Sequence, residues 1–152
     1  MRYDIREKKT YIYDDPLLRQ ARVVFCDSAG TIWVGTAGSG LLQLENPYSP
    51  NDLKYIRYYH TSDERSLLDD SISDIVEDKA RGILWIGTHC GLSVLHDKGS
   101  ILSFENFKSG LKIGDLPYNN ITSLLLSHDG QLWVATVSYT HLRAHETRSN
   151  LV

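Results

Sequence analysis

Apolar residues in this chain fall in short runs broken by polar turns, and no window shows the spacing of an amphipathic helix. Three nearly solid apolar runs, at residues 22–26, 71–76 and 120–126, read as strands covered on both faces. Each leads into a polar turn, at residues 27–30, 77–82 and 127–130. Asp bonds its own backbone and Gly accepts positive φ, so a hairpin is predicted at each turn. The strands that follow are copies of one pattern: Gly30-Thr31-Ile32-Trp33-Val34-Gly35-Thr36, Gly82-Ile83-Leu84-Trp85-Ile86-Gly87-Thr88 and Gly130-Gln131-Leu132-Trp133-Val134-Ala135-Thr136. After the first two copies come Gly-bearing turns at 37–40 and 89–91, and third strands at 41–44 and 92–95. Fourth strands follow at 55–60 and 101–105, with more alternation and charge, as suits an outer edge. Longer polar loops, 61–70 and 106–119, lead onward.

The three Trp of the chain all lie in these copies, 52 and 48 residues apart. Four short strands repeated at such a period mark a β-propeller. The predicted fold is all-β, a partial β-propeller spanning residues 1–136. It holds a trailing strand at 10–16, complete four-stranded antiparallel blades at 21–60 and 71–105, and a partial blade at 120–136. A propeller closes with about four blades or more, so the chain is expected to be an excerpt that packs against the remaining blades of a parent. Each Trp is expected between blades, where it would bury roughly 150–250 Å². The Gly after it should allow close approach of the next blade, and the Thr should cap the strand end.

Length and composition suit one folded domain: 152 residues, 41% hydrophobic, and nine Tyr against three Phe. A net charge of -3 with no basic run gives no reason to expect nucleic acid as a partner. Cys26 and Cys90 occupy different repeat positions, so no disulfide is expected. No apolar stretch is long enough to span a membrane, and the N-terminus has no signal-peptide core.

Candidate binding residues come from the propeller topology. The turns after the second strand and the linkers from the fourth strand to the next first strand should share one face. That face offers Ser39, Asp70, Ser71, His89, Tyr118, Asn119 and Asn120. Hydroxyl, amide and carboxylate groups beside an aromatic suit a polyhydroxylated ligand. The turn at 27–30 and its counterparts should lie on the opposite face and serve the fold. No catalytic constellation is visible: Asp69-Asp70 and Asp14-Asp15 are strand neighbours pointing apart, and 37–40 lacks the Lys of a phosphate loop. No cofactor is implied. Residues 137–152 align with neither earlier unit and resemble translated adapter sequence, so they are read as a non-repeat tail. Within it His141 and His145 stand four apart, but Leu142 holds the place where a zinc-protease helix needs Glu, and no metal is expected.

The blade pattern of apolar strand, Asp, Gly-x-Ile/Leu-Trp-Val/Ile-Gly-Thr, turn and Gly-Leu resembles the two-component regulator propeller repeat over residues 10–136. The third copy departs from it at Ala135. The resemblance implies a periplasmic sensor in a hybrid two-component system of the Bacteroides type. A β-sandwich, a membrane helix and a histidine kinase would follow, often with receiver and DNA-binding domains and with the parent as a homodimer. It further implies oligosaccharide ligands and transcriptional control of polysaccharide-utilisation genes. This segment would itself be non-catalytic. Two rival readings are a propeller lyase of the streptogramin-lyase kind and a protein-interaction scaffold. The lyase repeats resemble these at Asp-x-x-Gly-x-Ile/Leu-Trp but are shorter, about 40 residues, and lack Gly-Thr.

Overall fold

Strand-forming apolar runs bounded by Asp/Gly turns give an all-β chain. The computed structural model describes residues 1–98, 101–110, 115–116 and 118–137. The strands are β1 (Arg2–Asp4), β2 (Lys9–Tyr11), β3 (Ala21–Cys26), β4 (Ile32–Thr36), β5 (Leu41–Leu44), β6 (Tyr55–Tyr58), β7 (Ile72–Asp78), β8 (Ile83–Thr88), β9 (Gly91–Lys98), β10 (Ile101–Phe107), β11 (Asn120–Leu126) and β12 (Leu132–Val137). Every paired strand is antiparallel to its neighbour. Sheet order follows chain order: β3-β4-β5-β6 and β7-β8-β9-β10 form two four-stranded sheets, and β1-β2 and β11-β12 form two-stranded ones. These are two complete propeller blades with parts of two flanking blades. Among the described residues the one helical element is a 3₁₀ turn at Leu18–Gln20.

The first partial blade differs from expectation. The strand expected at 10–16 covers Lys9–Tyr11 and pairs with β1, so a hairpin precedes the first full blade. Strand structure stops there because Asp15 Oδ1 accepts the backbone N–H groups of Leu17 and Leu18, which turns the chain into the 3₁₀ element. The tail from residue 138 onward, with His141 and His145, lies outside the described residues.

Blades are stacked through β7, which packs against β3 and β4, and through β11, which packs against β7 and β8. The first interface buries Trp33, Leu41, Leu67, Ile72, Ile75, Leu84, Ile86, Leu95 and Phe104 in one cluster. The second buries Leu92, Ile121, Leu124 and Val134, with Trp85 half-buried against them. The inner strands β3, β7 and β11 share a register shift at one repeat position, between Ala21 and Val23, Ile72 and Asp74, and Ile121 and Ser123. A bulge bends a strand locally and increases its twist. Repeated at the same rung, it shapes all three inner strands alike.

In the first two copies the Gly after the Trp strand's Val or Ile is a steric requirement. A Cβ on Gly35 would lie 2.5 Å from Ile72 Cγ2 and 2.5 Å from Val23 Cγ1. On Gly87 it would lie 2.7 Å from Ile121 Cγ2. The Thr beside each Gly is fully buried. Thr36 Oγ1 donates to Gly40 O at 2.7 Å and accepts from Ser39 N at 2.8 Å. Thr88 repeats this with Gly91 O at 2.8 Å and Cys90 N at 3.1 Å. Thr therefore closes the tight turn between second and third strands.

The three Trp are alike in sequence and unlike in burial. Trp33 is 4% exposed and Trp133 is 57% exposed. The expectation that all three lie between blades holds where the chain places a blade beyond them. Indole hydrogen bonding also varies. Trp33 Nε1 donates to Asp27 Oδ2 at 2.9 Å, while the Asp27 Oδ1 atom accepts from Ala29 N and Thr31 N. In blade two the turn is one residue longer and Asp78 instead binds Arg81, through its backbone N–H at 3.2 Å and its guanidinium at 2.5 Å. Trp85 Nε1 is buried without a partner. The Arg81 bond holds the Asp78 carboxyl below the usual carboxylate range.

Gly35→Ala and Gly87→Ala should each destabilise the chain by about 1–3 kcal/mol, because rigid β-branched side chains must give way. Urea unfolding measures this, and Ala135→Gly serves as the reference with a much smaller loss. Thr36→Val keeps the shape but leaves the Ser39 N–H without its hydroxyl partner and Gly40 O with the residue-36 N–H alone, so a loss of about 1–3 kcal/mol is expected in the same assay.

Candidate ligand-binding face

Backbone bonds bring the second-strand turns and the interblade linkers to one end of the sheets. Ala37 N donates to Gln20 O at 2.9 Å, and His89 N donates to Ser71 O at 3.2 Å. Gly40 N donates to Asp70 O at 2.9 Å, and Ala37 and Ser71 form an isolated antiparallel bridge. The linker between the two full blades is therefore stitched to the turns of both.

Most of the polar side chains expected here serve that stitching. Ser39 is buried, and its Oγ donates to Gln20 Oε1 at 2.8 Å. Its carbonyl accepts from Arg57 Nε at 2.7 Å. Asp70 Oδ1 accepts from His60 N at 2.7 Å, and Ser71 Oγ donates to Ala37 O at 3.3 Å. Asn119 Oδ1 accepts from Ser109 N at 2.5 Å. His89 is exposed, and Tyr118 and Asn120 are half-buried. Ser71 is thus brought beside both Ala37 and His89. Tyr118, Asn119 and Asn120 belong to the next linker and the start of β11.

A polar groove at this end was not legible in the sequence. It is lined by His60, Thr61, Ser62, Asp63, Glu64, Ser66, Asn106 and Lys108. The linker that forms it is anchored by two buried leucines, Leu67 and Leu68. Leu68 N donates to Ser93 Oγ at 3.2 Å, Ser93 Oγ donates to Asn106 Oδ1 at 2.7 Å, and Asn106 Nδ2 donates to Ser66 O at 2.9 Å. His60 Nδ1 lies 2.9 Å from Leu67 O, which fixes that nitrogen as the donor. Asp63 is held below the usual carboxylate range by bonds from the Arg65 backbone and side chain. The paired apolar residues at 67 and 68 were the signal that this loop docks; Asn106, on another blade, gave none.

Both cysteines are free. Cys90 lies beside Asp69, and burial followed by that carboxylate pushes its thiol up. Among the described residues no group of three or more His, Cys, Asp or Glu side chains could hold a metal ion. No helix among them is long and apolar enough to cross a membrane. With Cys26→Ser as the background, Asp69→Asn should lower the pH at which Cys90 reacts with iodoacetamide. The pH profile of the alkylation rate measures it, and an unchanged profile contradicts the assigned neighbour.

Residues 115–138 match the family model described as two component regulator propeller. The matched stretch spans β11, the turn and β12, the copy that carries Ala135. No curated protein matches the chain. Residues 115–138 are thus similar to one two component regulator propeller repeat, and the blade-like sheets beside them agree with that architecture.

Proposed function

We propose that this propeller segment senses a ligand for a membrane-bound hybrid histidine kinase, with the propeller on the periplasmic side. The ligand class is an oligosaccharide, and the output is control of polysaccharide-utilisation genes. The carrying observation is the polar groove between the 60–68 linker and the end of β10, where hydroxyl, carboxylate, imidazole and amide groups converge on a rigid blade scaffold. Such a set presents donors and acceptors in the alternation that sugar hydroxyls offer. The linker that carries it is bonded to both neighbouring blades, so occupancy of the groove would bear on the angle between them. This segment contributes binding rather than chemistry.

A thermal-shift screen of the propeller containing this chain, against plant and host glycans, tests the reading. A specific glycan should raise Tm in a concentration-dependent way. Asp63→Ala with Asn106→Ala should remove most of that rise. No shift with any glycan, or a shift that ignores both substitutions, would count against it.

A further inference from the structure

A cleft of about 210 Å³ opens between the two full blades at the hairpin-turn end, opposite the polar groove. Leu84, Leu95 and Leu102 of the second blade give it an apolar wall. Asp27 of the first blade and Glu77 of the second each bring a half-buried carboxylate. Every hydrogen bond to these carboxylates comes from a neutral group. Asp27 accepts from the N–H groups of Ala29 and Thr31 and from the Trp33 indole. Glu77 accepts from Ser28 N at 2.9 Å and from Ser28 Oγ at 2.6 Å. A carboxylate offers about four acceptor sites, so about one remains on Asp27 and about two on Glu77. Among the described residues neither forms an ion pair. Two negative charges therefore share a partly buried cleft with no cation against them, a setting that favours a counter-charge.

The next blade shows which cation this repeat position takes. Phe25 lies opposite Trp33 and Val76 opposite Trp85, so Asp27 corresponds to Asp78. The second blade runs Ala80-Arg81-Gly82 where the first runs Ala29-Gly30. The extra residue is the arginine, and its guanidinium bonds Asp78 at 2.5 Å. Arg81 lines the equivalent cleft between the second blade and the β11-β12 pair. Glu77 corresponds there to Leu126, since Leu125 lies opposite Trp133. That cleft thus has one acid, answered by a guanidinium from its own turn. The cleft between the full blades has two acids and no arginine in its shorter turn.

We propose that the cleft between the full blades binds a ligand with a guanidinium head and an alkyl body. The head bonds the remaining acceptor sites of Asp27 and Glu77, and the body lies along Leu84, Leu95 and Leu102. A volume of about 210 Å³ is below the roughly 300–1,000 Å³ of drug-sized sites, so the cleft takes one side-chain-sized group rather than a sugar chain. One carboxylate comes from each blade, so the bound head bridges the interface beside the Ser28–Glu77 pair. The site is separate from the polar groove and stands whether or not that groove binds glycans.

Titration calorimetry of the protein with butylguanidine tests this, with butylamine and butanol as controls. Butylguanidine should bind saturably, butylamine more weakly, and butanol more weakly by roughly tenfold or more. The Trp33 indole N–H, bonded to Asp27, should shift in nitrogen-edited NMR along the same isotherm. Glu77→Gln should weaken binding roughly tenfold. An Arg inserted between Ala29 and Gly30 copies the turn of the second blade and should abolish binding by supplying the cation from within. Circular dichroism checks strand content, and if one variant fails to fold the other still decides. An arginine-centred pentapeptide that binds more tightly than butylguanidine assigns the guanidinium to a partner chain, and the reverse order assigns it to a free ligand. No saturable binding, butanol binding as well as butylguanidine, or binding that survives both changes overturns the proposal.

Discussion

The close approach of one sheet to the next is the constraint on which the other features depend. An inner-strand Ile lies where the Cβ of Gly35 or Gly87 would stand, so the sheets meet at a distance that excludes a side chain at that rung. At this spacing Trp33 reaches into the neighbouring sheet and becomes part of its core. The repeated bulge on β3, β7 and β11 bends each inner strand at the rung beside this contact. A dry, interdigitated interface of this kind gains little from any single pair and much from the fit of the whole set.

Polar interactions fall into two groups. Carboxylates cross from blade to blade: Glu77, near the first hairpin turn, accepts from Ser28 N and Oγ, and Asp74, further along at the Gly87 rung, accepts from Leu124 N at 2.8 Å. Both sit on β7, so the inner strand of the second blade is tied to the blade before it and the blade after it. At the end opposite that hairpin turn buried Thr hydroxyls close the turns, and linkers dock by backbone bonds. Backbone groups in a short linker must find partners when buried, and these turns supply them. Most of the polar residues there are consequently used by the fold, and the groove is framed by what remains.

Repeat architecture was legible because one unit, read three times, carries its own controls. The Trp copies, the Asp/Gly turns and the Gly-Thr ends each have a single structural reason, and each reason recurs. Side-chain placement within the loops was less legible. Ser39 and Asp70 read as ligand groups because hydroxyls and carboxylates in loops resemble binding residues, yet Ser39 is turned inward to Gln20 and Asp70 holds His60 N. Leu67 and Leu68 sit in a loop that reads as polar, and they are buried because that loop crosses the interface between blades. Trp85 and Trp33 are identical letters, but one extra turn residue directs Asp78 to Arg81 and leaves the Trp85 indole N–H alone.

The sequence by itself determined strand order, turn positions and the Trp-bearing rung, since these follow from alternation, glycine φ and nearest-neighbour chain geometry. Tertiary structure alone decided which face of each blade is covered. Among the described residues, burial of Trp33, half-burial of Trp85 and exposure of Trp133 follow how much of a neighbouring sheet packs across each, a property of sheets in contact that no local pattern encodes.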